Sequence, residues 1–119
     1  WLEAVNVCKN LVHEGRSDWR LPSISELQSI IYYYHYVTGA TNVSQVIEEV
    51  FPNTVTEKDM VNDYSPESQG YCVSDVCHIH YWSSTPVNTG SSWAVNFSNG
   101  VSQWDTVVKY KSVRCVAGP

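Results

Sequence analysis

Three cations crowd the last eleven residues of the chain: Lys109, Lys111 and Arg114. Residues two apart in an extended segment share a face, so the ammoniums of Lys109 and Lys111 are expected to meet one anionic strand together. Lys9, within a first predicted helix, and Arg16, just beyond it, would lengthen that edge, while Arg114 beside Cys115 serves either the edge or the fold. The chemistry this row offers is recognition of sulphate-like anions. It needs little more than several cations at matching pitch, and oligomerisation multiplies weak sites into avidity. The plainer reading is solvated surface lysines with no ligand.

The opposite charge gathers elsewhere. Between Ser44 and Cys77, seven acids from Glu48 to Asp75 face Lys58 alone, whereas the remainder carries six basic against five acidic residues, for a formal net charge of −5. One acidic lobe and one small basic edge are expected. Clustered carboxylates can hold Ca²⁺ or Mg²⁺ weakly through oxygen ligands. No other cofactor is expected.

Four cysteines allow three pairings. A Cys72–Cys77 bridge would pin a small loop, and a Cys8–Cys115 bridge would staple the ends of the domain together, contributing roughly 4–5 kcal/mol by loop entropy. The even count favours an oxidising compartment. The competing reading keeps the thiols reduced, with Cys72, Cys77, His78 and His80 as a metal site, but the spacing matches no standard zinc pattern. Ser83, Ser84, His78, His80 and Asp105 could be drawn as a triad, yet no Gly-x-Ser-x-Gly elbow is present, so no catalysis is expected.

Composition narrows the class. Of 119 residues 43% are hydrophobic and 16% charged, against roughly 25% charged in ordinary soluble domains, and Trp and Tyr dominate the aromatics. That is the composition of an extracellular or carbohydrate-facing β-rich domain. No apolar run reaches the roughly 20 residues of a membrane helix. The negative charge argues against a broad nucleic-acid footprint. The chain opens at Trp1 and reads as a piece of something longer.

The elements that must position these side chains follow from periodicity. Leu2, Val5, Cys8, Leu11 and Val12 form one helical stripe over residues 2–14, stopped by Gly15. Ser23 and Glu26 make a capping box for a second helix, with Ile24, Leu27, Ile30 and Ile31 facing inward before it frays in the Tyr32–Tyr36 run. Residues 38–77 behave as a long irregular insertion, with a short helix at Val46–Phe51. The tail is β: a strand at His78–Thr85, another with Trp93, Val95 and Phe97 on one face, a hairpin signal at Asn99-Gly100, a return over Val101–Val108, and closure of the sheet by Val113–Val116. The expectation is one α+β domain over 1–119, with two helices packed on a small antiparallel sheet.

Five blocks occur in order: Trp1-x-Glu-Ala-x-x-x-Cys8, Ser17-Asp-Trp-Arg-Leu-Pro-Ser-Ile-Ser-Glu-Leu27, Tyr81-Trp-Ser-Ser-Thr85, Trp93-Ala-Val-x-Phe97 and Val113-Arg-Cys-Val116. Together they resemble the Lcl C-terminal domain family, named after the Legionella collagen-like adhesin. The resemblance implies a fold related to C-type lectins and formylglycine-generating enzymes. It also implies an extracellular, bacterial cell-surface location and a trimeric head on a stalk that binds sulphated glycosaminoglycans in attachment and aggregation. Family members usually carry a strand before the Trp-x-Glu-Ala helix, which this chain starts too late to include, and nothing at family level transfers to residues 38–77.

Most of the motif reads as fold. Trp19, Leu21, Trp82 and Trp93 are expected in the core, and Arg20 beside Asp18 as a turn-fixing ion pair. The calcium motifs of sugar-binding C-type lectins have only poor echoes here, at Phe51-Pro-Asn53 and Val61-Asn-Asp63. The expectation is therefore a homotrimeric, non-catalytic adhesin head for polyanionic glycans. Its alternative is a structural or protein-binding cap with no glycan site.

Overall fold

The computed structural model describes residues 1–31, 76–97 and 100–119, residues 76–78 through their backbone. The Tyr32–Tyr36 run, the Val46–Phe51 helix, the Cys72–Cys77 bridge, and the acidic lobe with its weak Ca²⁺ or Mg²⁺ binding lie outside the described residues. In chain order the elements are α1 (Leu2–Lys9), β1 (Trp19–Arg20), α2 (Ile24–Ser29), β2 (Val76–Asn88), β3 (Ser91–Asn96), β4 (Ser102–Thr106), β5 (Tyr110–Ser112) and β6 (Val116–Ala117). The architecture is α+β.

Four strands form one sheet in the order β4-β3-β2-β5. β2 and β4 run antiparallel to β3, while β5 lies parallel to β2 at the far edge. The sheet is therefore mixed, not antiparallel throughout, because the chain crosses from one edge to the other between β4 and β5. Nor does the segment after Val113 close this sheet. β6 leaves it and pairs with β1 in a separate ribbon, with Trp19 opposite Ala117 and Arg20 opposite Val116. Of the Asn99-Gly100 hairpin signal between β3 and β4, Asn99 lies outside the described residues, and Gly100 takes φ 75° and donates its N–H to the Asn96 carbonyl.

The two helices cover opposite faces of the sheet. Under α2, Leu27 and Ile31 pack with Tyr81, Val95 and Phe97, where the Tyr81 and Phe97 rings stack at 4.2 Å. Under α1, Ala4 and Cys8 pack with Leu21, Trp82 and Ala94. β3 is thus covered on both sides: Val95 and Phe97 are buried, but so are Ala94 and Asn96. Leu21 and Trp82 are core residues as expected, while Trp19 and Trp93 are half-buried.

α2 begins where the capping box places it. The Ser23 hydroxyl accepts from the Glu26 N–H, and the Glu26 carboxylate accepts from the Ser23 N–H. α1 is shorter than its apolar stripe, ending at Lys9 instead of running to residue 14. Only Ala4 and Cys8 of the helix are fully buried, and Val12 is exposed. The chain then turns in a tight hairpin, with His13 and Arg16 exchanging both backbone hydrogen bonds across Glu14 (φ 50°) and Gly15 (φ 75°). Positive φ at both central residues is the requirement of a two-residue hairpin turn, so Gly15 serves that turn and caps no helix.

Candidate functional site

Lys111 does not point outward. Its side chain is fully buried, its ammonium donates to Asp105 Oδ2 at 2.9 Å, and it lies 3.1 Å from His80 Nδ1 and 5.1 Å from the Trp82 ring centre. Gln103 Nε2 also lies 3.1 Å from His80 Nδ1, so that nitrogen accepts. Burial pulls the Lys111 ammonium below its ordinary pKa, against the opposing pull of Asp105. Burial works to raise Asp105, but hydrogen bonds from Lys111 and the Thr106 N–H outweigh it and hold the carboxyl below its usual range. Lys109 approaches the same carboxylate at 3.9 Å. The two lysines do share a face, but it is the face that meets Asp105, not an outer edge with both ammoniums free for an anion.

Of the other three predicted cations, Lys9 and Arg114 each adjoin a cysteine of the terminal disulfide, but Arg114 lines a small pocket with Glu26, Leu27 and Ile30 on the α2 side. The Cys8–Cys115 disulfide is formed, with the two Cα atoms 5.4 Å apart across 107 residues of sequence. It sets Lys9, the last residue of α1, beside the segment that carries Arg114. The β1–β6 ribbon then ties the chain following Arg16 to the same C-terminal segment. Lys9 is exposed, Arg114 is half-buried, and Arg16 is exposed in a two-pronged ion pair with Asp18, at 2.9 and 2.6 Å. The pair raises the Arg16 pKa and lowers that of Asp18, chiefly through those hydrogen bonds.

Asp18 was expected to pair with Arg20, and the structure corrects this. Arg20 instead grips both oxygens of Glu26, at 2.8 and 3.0 Å, and donates to the carbonyls of Gly118 and Pro119. The capping box already holds the Glu26 carboxylate in place, which presents a planar acceptor to the planar fork of Arg20. The Arg20 hydrogen bonds, followed by the backbone bond from Ser23, lower Glu26 from 4.5 to about 2.

The blocks that carry the family resemblance are joints of the fold. The Trp1 indole donates to the Ser83 carbonyl at 2.8 Å, and the Ser83 hydroxyl donates to the Trp93 carbonyl at 2.7 Å. Thr85 Oγ1 accepts from the Ile24 N–H, and the Ser84 N–H donates to the Pro22 carbonyl. The serines and threonine of Trp82-Ser-Ser-Thr85 thus bond the first, second and fourth blocks to β2, where its register with β3 shifts between Trp82 and Pro86. Ser83 is fully buried and His80 lies 1% exposed against Lys111 and Gln103, so neither presents a nucleophile or base to solvent.

Sequence reasoning missed a groove of about 490 Å³ between α1 and residues 107–113. Leu2 and Val7 stand on one wall, Val108, Lys109 and Tyr110 on the other, and Trp82 lies at its base. The signal was present in α1. Leu2 and Val7 fall away from the buried Ala4–Cys8 line, so an apolar pair faces outward.

Among the described residues no cluster of three or more His, Cys, Asp or Glu could hold a metal ion, and no helix is long and apolar enough to cross a membrane. Neither the curated proteins nor the solved structures contain a match to the chain. The model of the Lcl C-terminal domain matches residues 1–117. With the terminal disulfide in place and each ordered block acting as a joint, the chain belongs to the Lcl C-terminal domain family, a family of domains related to surface adhesins.

Proposed function

We propose that the domain is a non-catalytic, extracellular adhesive head that attaches to sulphated, polyanionic glycans and acts as a homotrimer. The observation that carries this reading is the Cys8–Cys115 bridge, which joins the segments that carry Lys9 and Arg114 from opposite ends of the chain, with Arg16 exposed upstream of the β1–β6 ribbon. The background charge favours it. The described residues hold six cations against five acids, and Lys9 is exposed in the last turn of α1. Each protomer offers few cations, so useful affinity comes from repetition within an oligomer. The order of the blocks supports a C-type-lectin-like reading of the fold. The binding we propose needs no metal, nucleic acid or membrane insertion.

The test is retention on immobilised heparin and chondroitin sulphate, beside uncharged dextran, over a series of salt concentrations. Electrostatic capture predicts retention on the sulphated matrices that weakens steeply as salt rises. The apolar groove favours a second reading, a structural or protein-binding cap. No retention at any salt would establish that reading in place of the first.

A further inference from the structure

We propose that Lys111 and Asp105 form a self-modification site, at which the lysine amine and the aspartate carboxyl condense into an intramolecular amide with loss of water. In an exposed ion pair the ammonium is hydrated and the two side chains are loosely held. Lys111 differs on both counts. Its side chain is fully buried, and its Nζ is fixed between Asp105 Oδ2 at 2.9 Å and His80 Nδ1 at 3.1 Å, with the Trp82 ring centre 5.1 Å away. Burial favours the neutral amine, which is the nucleophilic form. A nitrogen in hydrogen-bond contact with a carboxylate oxygen also stands near the separation of about 3–3.5 Å at which attack becomes effectively unimolecular.

The other groups that the reaction needs are in place. Asp105 Oδ1 accepts from the Thr106 N–H at 2.8 Å, so a donor is already aimed at the oxygen on which charge gathers when Cγ is attacked. Oδ2, on the Lys111 side, is then the oxygen that leaves. His80 is 1% exposed and its Nδ1 is an acceptor, which suits it to carry a proton. The reaction starts from the ion pair. One ammonium proton passes along the 2.9 Å hydrogen bond to Oδ2, leaving a neutral amine beside a carboxylic acid. The nitrogen lone pair attacks Cγ, and negative charge moves to Oδ1 against the Thr106 N–H. His80 takes a second proton from the nitrogen. The Cγ–Oδ2 bond then breaks, and Oδ2 leaves as water with the proton that His80 returns. Of the three ammonium protons one stays on the amide and two depart in the water, and both charges vanish together. The product ties β4 to β5, at opposite edges of the sheet, by a covalent bond. Any fraction that has not condensed keeps the ion pair.

The test is the mass of the whole chain, reduced and denatured so that disulfides do not contribute. The wild type is expected one water, about 18 Da, below its sequence mass, and Lys111→Met and Asp105→Ala at theirs. In a tryptic digest the peptide ending at Lys109 should be joined through Asp105 to residues 110–114, uncleaved after Lys111. His80→Phe keeps both reacting groups and should condense at least about tenfold more slowly, read as mass against time after synthesis. A folded wild type at its full sequence mass would overturn the proposal. So would a loss of one water that persists in Lys111→Met, because the water then comes from another reaction such as cyclisation of an aspartate. A wild-type rate in His80→Phe would overturn the proton transfer through His80.

Discussion

Lys111 and Asp105 stand on strands at opposite edges of the four-stranded sheet, yet the Lys111 ammonium and the Asp105 carboxylate are 2.9 Å apart. The contact clasps one edge to the other across the α1 face, over Trp82 and beside His80. The Lys111 side chain is fully enclosed, whereas the Asp105 side chain keeps a fifth of its surface exposed.

Removing either partner leaves a charge without its mate, but the two losses differ in size. Lys111→Met removes the buried charge and leaves Asp105 partly solvated, so about 1–2 kcal/mol of stability is expected to go. Asp105→Ala strands an enclosed ammonium and should cost about 3–5 kcal/mol. Urea unfolding of the two variants measures the order directly. Equal losses would mean that Lys111 reaches water.

The Cys8–Cys115 bridge closes a loop of 107 residues. On the chain-entropy account its removal in Cys8→Ser/Cys115→Ser is expected to lower stability by about 4–5 kcal/mol. Thermal unfolding of the double variant should show the loss. A midpoint within a degree or two of the wild type would show that the hydrophobic packing of Ala4, Leu21 and Trp82 holds the ends unaided.

Glu26 sets an acid limit. Its carboxyl is lowered from 4.5 to about 2 by Arg20 and by the capping box. A carboxylate lowered on folding stabilises the native state at pH above its unfolded value of 4.5, and that contribution is lost as pH falls towards about 2. Because the pair is partly solvated, the effect is small, about 1 kcal/mol. Glu26→Gln is expected to cost that amount at pH 7 and to flatten the pH dependence of stability between those values. A variant whose acid unfolding curve parallels the wild type would remove Glu26 from the account.

What could be read from the sequence was set by local chemistry. The α2 cap depends on Ser23 and Glu26 alone, and the inward positions Leu27 and Ile31 follow from helical spacing, so both appear where expected. The Cys8–Cys115 pair was one of the three pairings that four cysteines allow, suggested by their places near opposite ends of the chain. The failures share a cause, the partner supplied by a distant segment. Nothing local tells Arg20 to choose Glu26 over Asp18, since that choice rests on a carboxylate already oriented by its own helix. Lys111 alternates with Lys109 as an extended segment requires, but which face turns inward depends on β5 pairing with β2. The early end of α1 reflects a hairpin at Glu14-Gly15 that competes with an unbroken apolar stripe.

The most direct measurement is heparin affinity over a salt series for the wild type, Lys9→Ala/Arg16→Ala and Lys111→Met. The account predicts salt-sensitive binding that falls by about tenfold in Lys9→Ala/Arg16→Ala and persists in Lys111→Met, whose charge is buried. Wild-type binding unaffected by loss of Lys9 and Arg16, but abolished with Lys111, would contradict it.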